Sequence, residues 1–282
     1  MGENQSDTFD IGGELTVHRL GFGAMRITGE NIIGRPDDED EARAVLERAR
    51  EIGVDFIDTA DSYGPAVSER LIGETFGPDY EDVTVATKGG LWRTLDGSWP
   101  PCGDPAYLQN ALMGSLDRLG VDSIDLYQFH RPDPDTPFED SVQQMAEFKD
   151  EGLIEHVGVS NVSVEQLDTA RDIVEIATVQ NEFNVGDRSD EDVLEACEDA
   201  GIGFIPWSPI GSGGNDLGGR AEDVSELADA HDTNDSQIAL AWLLQRSPVT
   251  LPIPGTSSVE HLEGNVAASE IELSDDEMAQ LE

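Results

Sequence analysis

Lysine is nearly absent from this chain. Of its 16 basic residues, two are lysines, Lys88 and Lys149, which leaves 14 arginines. Lys149 belongs to a helix-forming stretch on the outside. Lys88 instead ends Val-Thr-Val-Ala-Thr, an apolar run that reads as a buried strand. A buried ammonium needs a counter-charge, and Asp58, which ends the preceding run Phe56-Ile57, can supply it. Tyr63 follows in the loop. A free tyrosine has a pKa of about 10, too high for an efficient acid at neutral pH. A nearby ammonium stabilises tyrosinate and lowers that pKa, so Asp58, Lys88 and Tyr63 form a tunable proton donor. His130, at the end of the next apolar run, can add a hydrogen bond to the same substrate oxygen. Each group also has a plain structural use. Lys88 and Asp58 can be an ion pair that only closes a barrel, and a lone histidine can be a satisfied core residue. Four such groups on three adjacent strands favour chemistry.

The elements that must position them repeat. Short apolar stretches at 20–24, 56–59, 83–88, 124–130, 156–160, 178–180, 203–207 and 250–253 read as strands. Amphipathic stretches near 38–52, 66–75, 105–119, 138–151, 163–174, 189–200, 235–246 and 258–268 read as helices, and a last acidic helix covers 274–281. Asp104, Ser163 and Ser189 stand as caps before the third, fifth and sixth helices. The opening reads as a hairpin, 8–11 and 14–17 around a two-residue Gly12-Gly13 turn, which could plug one end of a barrel.

Eight strands alternating with eight helices imply a parallel sheet. The expected fold is an α/β (β/α)₈ TIM barrel with an N-terminal β-hairpin, one domain over residues 1–282. The rival is an open doubly wound sheet. Its dinucleotide fingerprint GxGxxG is missing: after Gly21-Phe22-Gly23, Arg26 stands where the third glycine belongs. In a (β/α)₈ barrel the chemistry sits at the C-terminal strand ends. The second strand ends in Asp58 with Tyr63 beyond it, the third in Lys88 and the fourth in His130. The fifth ends in Ser160-Asn161 and the sixth in Gln180-Asn181.

The net charge is −44, from 60 acidic and 16 basic residues. The acids are spread along the chain, and the densest cluster, Asp37-Asp38-Glu39-Asp40-Glu41, opens a helix where carboxylates suit the dipole. Self-repulsion at this charge strains a compact state in dilute salt, and molar salt shortens the screening length to about 3 Å. We expect a high-salt cytoplasm, as in a halophile; full stability in salt-free buffer would contradict this. The charge argues against nucleic acid and anionic membranes as partners. Two cysteines, Cys102 and Cys197, without ligand spacing around them, argue against a disulfide framework and a Cys-rich zinc site, and no metal is expected. The first ten residues have no apolar signal core. The run at 238–244 is far short of a membrane span, so a soluble cytoplasmic protein is expected. The sequence leaves the oligomeric state open.

The stretch Phe56-Ile57-Asp58-Thr59-Ala60-Asp61-Ser62-Tyr63-Gly64 resembles the signature of the aldo-keto reductase family. Six further pieces match in order: Thr87-Lys88, Asp125 to His130, Gly158 to Asn161, Val179 to Asn184, Trp207-Ser208-Pro209, and Pro252 to Ser258. The resemblance implies reduction of an aldehyde or ketone to an alcohol with a nicotinamide cofactor. It makes Tyr63 the general acid and Lys88 the group that lowers its pKa. Asp58 would hold Lys88, and His130 would orient the carbonyl. It puts Ser160, Asn161 and Gln180 at the nicotinamide carboxamide, and Trp207 on the nicotinamide ring, although Trp207 can equally be barrel packing. Ser208 and a loop at 211–214 would face the pyrophosphate. Gly255, Thr256, Ser257 and Ser258 match the site for the adenosine 2′-phosphate, where hydroxyls at a helix start suit an anion or simply cap the helix, and Asn265 matches the adenine contact.

The sequence departs from the family at two places. Gly255 and His261 stand where many members place a lysine or arginine, and Gly264, with Glu263 one residue earlier, precedes Asn265 where a glutamate is common. The hydroxyl cluster favours NADP, with NAD the alternative cofactor. Met25, Arg26 and Trp92, with Trp99, are the expected walls of the substrate pocket, and Arg26 or Arg93 could accept an anionic substrate. Two other readings remain. One is a barrel aldolase in which Lys88 forms a Schiff base. The other is a nicotinamide-binding subunit that senses redox state or docks a partner with little turnover.

Overall fold

Alternation of polarity decides which way each barrel strand faces. The computed structural model describes residues 3–77, 82–211 and 217–282. Seven parallel strands form one sheet in chain order: β3 (Phe22–Gly23), β4 (Phe56–Asp58), β5 (Thr84–Gly89), β6 (Ile124–Phe129), β7 (Ile154–Ser160), β8 (Ile176–Gln180) and β9 (Gly203–Phe204). Phe56, Ala86, Leu126, Ala177 and Ile205 point inward into one cluster. Their neighbours Ile57, Val85, Tyr127, Val157 and Phe204 point outward under the helices. The same alternation carries Asp58, Lys88 and Gln128 inward: Lys88 pairs with Gln128 across β5 and β6, and Asp58 pairs with Ala86, two residues before Lys88.

The eighth strand expected at 250–253 closes the ring as an extended segment. Leu251 N–H donates to Phe204 O on one side, and Pro252 O and Pro254 O accept from Gly21 and Gly23 on the other. Its two prolines have no N–H to return to β3, so that side of the ladder is half-made.

The hairpin consists of β1 (Thr8–Ile11) and β2 (Leu15–His18), paired antiparallel. Ile11 faces Leu15, so the turn is three residues, Gly12-Gly13-Glu14, rather than the expected two. Gly12 has φ +61°, and a β-carbon there would sit 2.4 Å from His156 Nδ1. That close approach lets Ile11 and Val17 enter the inner cluster beside Phe56 and Leu251 and plug the barrel.

The helices α1 (Glu39–Glu51), α2 (Val67–Phe76), α3 (Pro105–Leu119), α4 (Phe138–Asp150), α5 (Val164–Ile173) and α6 (Glu191–Ala200) lie near the expected bounds. So do α8 (Asp235–Arg246), α9 (Val259–Ala267) and α10 (Asp275–Leu281). The structure adds α7 (Ala221–Ala230), which the sequence reading passed over. Asp104 accepts from Ala106 and Tyr107, and Ser163 forms a capping box with Gln166, as expected. Ser189 caps nothing: the N-cap of α6 is Asp190, and the Ser189 hydroxyl donates to Asp187. The acidic run at 37–41 opens α1, where Asp38 accepts from Glu41 N–H.

Candidate active site

The β4–α2 loop holds Tyr63 through its own backbone. Tyr63 O accepts from the N–H groups of Val67 and Ser68, and Tyr63 N–H donates to Ala60 O. Thr59 and Asp61 N–H donate to Ala86 and Lys88 carbonyls, which fastens the loop to β5. Behind it, Glu69 is fully buried and accepts from Thr87 Oγ1 (2.6 Å) and Arg118 Nε (2.6 Å), so α2 and α3 are tied to the outward face of β5.

On the inward face Lys88 is fully buried. Its Nζ lies 2.5 Å from Asp58 Oδ1, 2.9 Å from Thr59 O and 3.4 Å from Tyr63 Oη. Those three acceptors match the three protons of an ammonium. Asp58 is held in turn by two amides: Oδ2 accepts from Gln180 Nε2 (2.8 Å) and Gln128 Nε2 (3.1 Å). Gln128 was not singled out from sequence, although a glutamine between Tyr127 and Phe129 in an apolar strand is the signal that could have found it.

The electrostatics differ in one respect from the expected picture. Burial raises the Tyr63 pKa above its ordinary value, and the opposing pull of Lys88 does not cancel it. Burial works against the Lys88 ammonium, but Asp58 and Tyr63 outweigh it and the pKa is raised. His130 is buried and its pKa is held well below the ordinary value by desolvation, then by Lys88 and Arg131, so the ring is a neutral imidazole. Its ring meets that of Tyr63 edge-on, 6.0 Å between centroids, and its Nδ1 has no hydrogen-bond partner among the described residues.

These groups lie at the floor of a cavity of about 720 Å³. Asp58, Tyr63, His130, Ser160, Asn161, Gln180, Trp207, Ser208, Gly255, Thr256 and Ser257 all line it, as do Met25 and Arg26. Lys88 lies beneath Tyr63 and outside the lining. Trp92 is not a wall: it is 49% exposed and packs on Tyr107. Trp99 takes its place, edge-on to Tyr63 at 6.3 Å. Ile32 and Arg131, which the sequence reading passed over, also line the cavity.

Trp207 Nε1 is buried with no acceptor among the described residues. Asn161 and Ser208 both hold positive φ, +58° and +53°, sparsely populated for side-chain-bearing residues and common at ligand sites. At the far end no side chain caps α9; Ser258 is its N-cap residue, and Ser258 N–H donates to Thr256 Oγ1. That leaves an open helix start with hydroxyls beside it. Asn265 is buried on α9. Glu263 pairs with Arg48 of α1 at 2.8 Å. Of the loop expected to face a pyrophosphate, Gly211 lines the cavity and 212–214 lie outside the described residues.

The model of the Aldo/keto reductase family matches residues 19–282. The chain belongs to the aldo/keto reductase family. It is 48% identical to an uncharacterized oxidoreductase of Schizosaccharomyces pombe over 99% of this chain and 90% of that protein. It is 41% identical to the pyridoxine 4-dehydrogenase of Escherichia coli, with 98% of each chain covered. Among solved structures, an aldo-keto reductase from Klebsiella pneumoniae in complex with NADPH superposes with a TM-score of 0.84 at 27% identity, covering 98% of this chain and 94% of that one. The barrel and its N-terminal hairpin are thus those of an aldo/keto reductase.

Proposed function

We propose that this aldo/keto reductase reduces aldehydes or ketones to alcohols with NADPH, and that Tyr63 is the proton donor. The observation that carries the reading is the buried ammonium of Lys88, shared between Asp58 and Tyr63 beneath an open cavity. The cavity suits the cofactor. Ser160, Asn161 and Gln180 would hold the carboxamide, Trp207 the nicotinamide ring, and Ser208 the pyrophosphate. Gly255, Thr256, Ser257 and Ser258 would take the 2′-phosphate at the uncapped start of α9, with Asn265 near the adenine. When bound, the reduced nicotinamide supplies the hydride.

The chain's own part is proton delivery and positioning. The carbonyl oxygen sits between Tyr63 Oη and the neutral His130 ring. Tyr63 gives up its proton as the alkoxide forms, and the adjacent Lys88 ammonium stabilises the tyrosinate left behind. Asp58, braced by Gln128 and Gln180, keeps that ammonium in place.

The aldolase reading is disfavoured by the same geometry. A Schiff base needs a neutral, accessible amine, whereas Lys88 has its pKa raised and lies under Tyr63, outside the cavity lining. A subunit with little turnover would not need a proton donor held in reserve. We further propose one domain over residues 1–282, a cytoplasmic setting rich in salt, and small carbonyl compounds as the partners. The likeness to the pyridoxine 4-dehydrogenase makes pyridoxal the first natural compound to try. The test is turnover of 4-nitrobenzaldehyde in concentrated KCl with each cofactor. A higher kcat/KM with NADPH than with NADH is expected; the reverse would overturn the assignment of the hydroxyls to a 2′-phosphate.

A further inference from the structure

The charge of the cavity is out of keeping with the chain around it. Sixty of 282 residues are acidic, but among the described residues Asp58 is the one carboxylate in the cavity wall, and Lys88 neutralises it from behind. Two arginines, Arg26 and Arg131, stand in the same wall. Among the described residues, nine of the 14 arginines have a carboxylate within 4.0 Å. Arg26 and Arg131 have none. Arg26 makes no side-chain hydrogen bond among the described residues, and Arg131 has only a 3.5 Å approach of Nη2 to Asn161 Oδ1, at the limit of a hydrogen bond. Both are exposed and line the cavity.

Arg93 is different. Its guanidinium lies 3.5 Å over the Trp99 ring and Nη2 donates to Asn31 O at 2.9 Å; its Nε and Nη1 have no partner among the described residues, but they are buried and Arg93 does not line the cavity. In a chain with so large an excess of carboxylates, two guanidiniums left without one, both facing the same cavity, mark a site for an anion from outside. Arg131 directly follows His130, so its anion sits on the substrate side. Arg26 flanks Gly255, where a β-carbon would lie 3.5 Å from Arg26 Cγ, so it stands by the groups proposed for the cofactor and ranks behind Arg131.

We propose that the preferred substrates are aldehydes or ketones that carry a carboxylate, with Arg131 as the first receptor and Arg26 as the second. This rests on the reductase reading above. A guanidinium matches a carboxylate by two parallel hydrogen bonds. The surrounding negative charge repels such a substrate at long range, and concentrated salt removes that repulsion while leaving contacts at hydrogen-bond distance.

The experiment compares kcat/KM for 4-formylbenzoate with that for its methyl ester, in concentrated KCl with NADPH. The proteins are wild type, Arg131→Met, Arg131→Lys and Arg26→Met. The ratio of acid to ester cancels any loss common to both substrates. It should fall about tenfold to a hundredfold in Arg131→Met, the range expected for a charge-assisted hydrogen bond, and less in Arg26→Met and Arg131→Lys. Equal ratios in wild type and both methionine variants would overturn the proposal. A raised KM for NADPH at constant ratio would do so too, by giving these arginines to the cofactor's phosphates. If wild type turned over neither aldehyde, the reductase reading itself would fall.

Discussion

Tyr63 holds its proton because burial outweighs the pull of Lys88. The general acid is therefore fully charged with its proton at neutral pH, and the role of Lys88 is to stabilise the tyrosinate once the proton has gone. The sign for pH follows. Reduction needs protonated Tyr63, so kcat/KM should hold through neutral pH and fall only as pH rises above about 10, the ordinary tyrosine value. His130 is neutral well below its ordinary range, so no acid limb should appear near pH 6.5. Replacing Lys88 by Met removes the one nearby cation that lowers the Tyr63 pKa; the alkaline limb should move further up and kcat should drop by about 10² to 10⁴. A pH–rate profile of both proteins checks these outcomes together.

At this scale the sequence was informative about residue type and less so about orientation. Lys88 stood out by its rarity, and Asp58 by its place at the end of an apolar run. Trp92 and Trp99 were indistinguishable in one loop; only the fold shows that Trp99 faces Tyr63 while Trp92 turns outward onto Tyr107. Gln128 was hidden because an amide in a strand has no charge to account for, yet it donates to Asp58.

The elements were legible where local chemistry decided them. Asp104 and Ser163 cap helices because their side chains reach the first free N–H groups. Ser189 failed because Asp187, two residues earlier, takes its hydroxyl. The helix α7 carries a helical period, with Val224, Leu227 and Ala228 buried; it escaped because it is an addition to the strand–helix alternation. The hairpin turn came out one residue longer, since the register that puts both Ile11 and Val17 in the core pairs Ile11 with Leu15.

Two predictions belong to this scale. Gly12→Ala should destabilise the fold by more than about 1 kcal/mol, through its positive φ and its collision with the His156 ring. Ser274→Ala should cost about 1 kcal/mol, because Ser274 N–H and Oγ both donate to Glu277 in the capping box of α10. These bonds, together with His231, pull the Glu277 pKa down to about 2. A carboxylate with a depressed folded pKa adds stability above its unfolded value and loses it as pH falls. The Ser274→Ala penalty should thus be fully present above pH about 4.5 and shrink as pH falls toward 2. Thermal unfolding at several pH values measures both.

For the whole molecule the charge of −44 dominates. The described ion pairs engage only a small part of the 60 carboxylates, so among the described residues most acids have no cation within ion-pair distance and repel one another. Added salt should therefore raise stability: the melting temperature should climb between 0.1 M and 3 M KCl, as screening shortens. An unchanged or falling melting temperature would remove the case for a high-salt setting. The barrel itself was legible from eight repeats of strand and helix. The closing segment at 250–254 was legible as a strand, but Pro252 and Pro254 leave it with too few ladder bonds to form a regular one.

The central claim, that Tyr63 protonates a carbonyl oxygen while NADPH is oxidised, is tested most directly by one measurement. Purified wild type and Tyr63→Phe are mixed with NADPH and 4-nitrobenzaldehyde in concentrated KCl, and loss of nicotinamide absorbance is followed. The phenyl ring keeps the packing of Tyr63 and removes only its hydroxyl. The account predicts turnover by wild type and a kcat lower by about 10² to 10⁴ in Tyr63→Phe, with NADPH binding retained. A Tyr63→Phe enzyme that runs at the wild-type rate would contradict it.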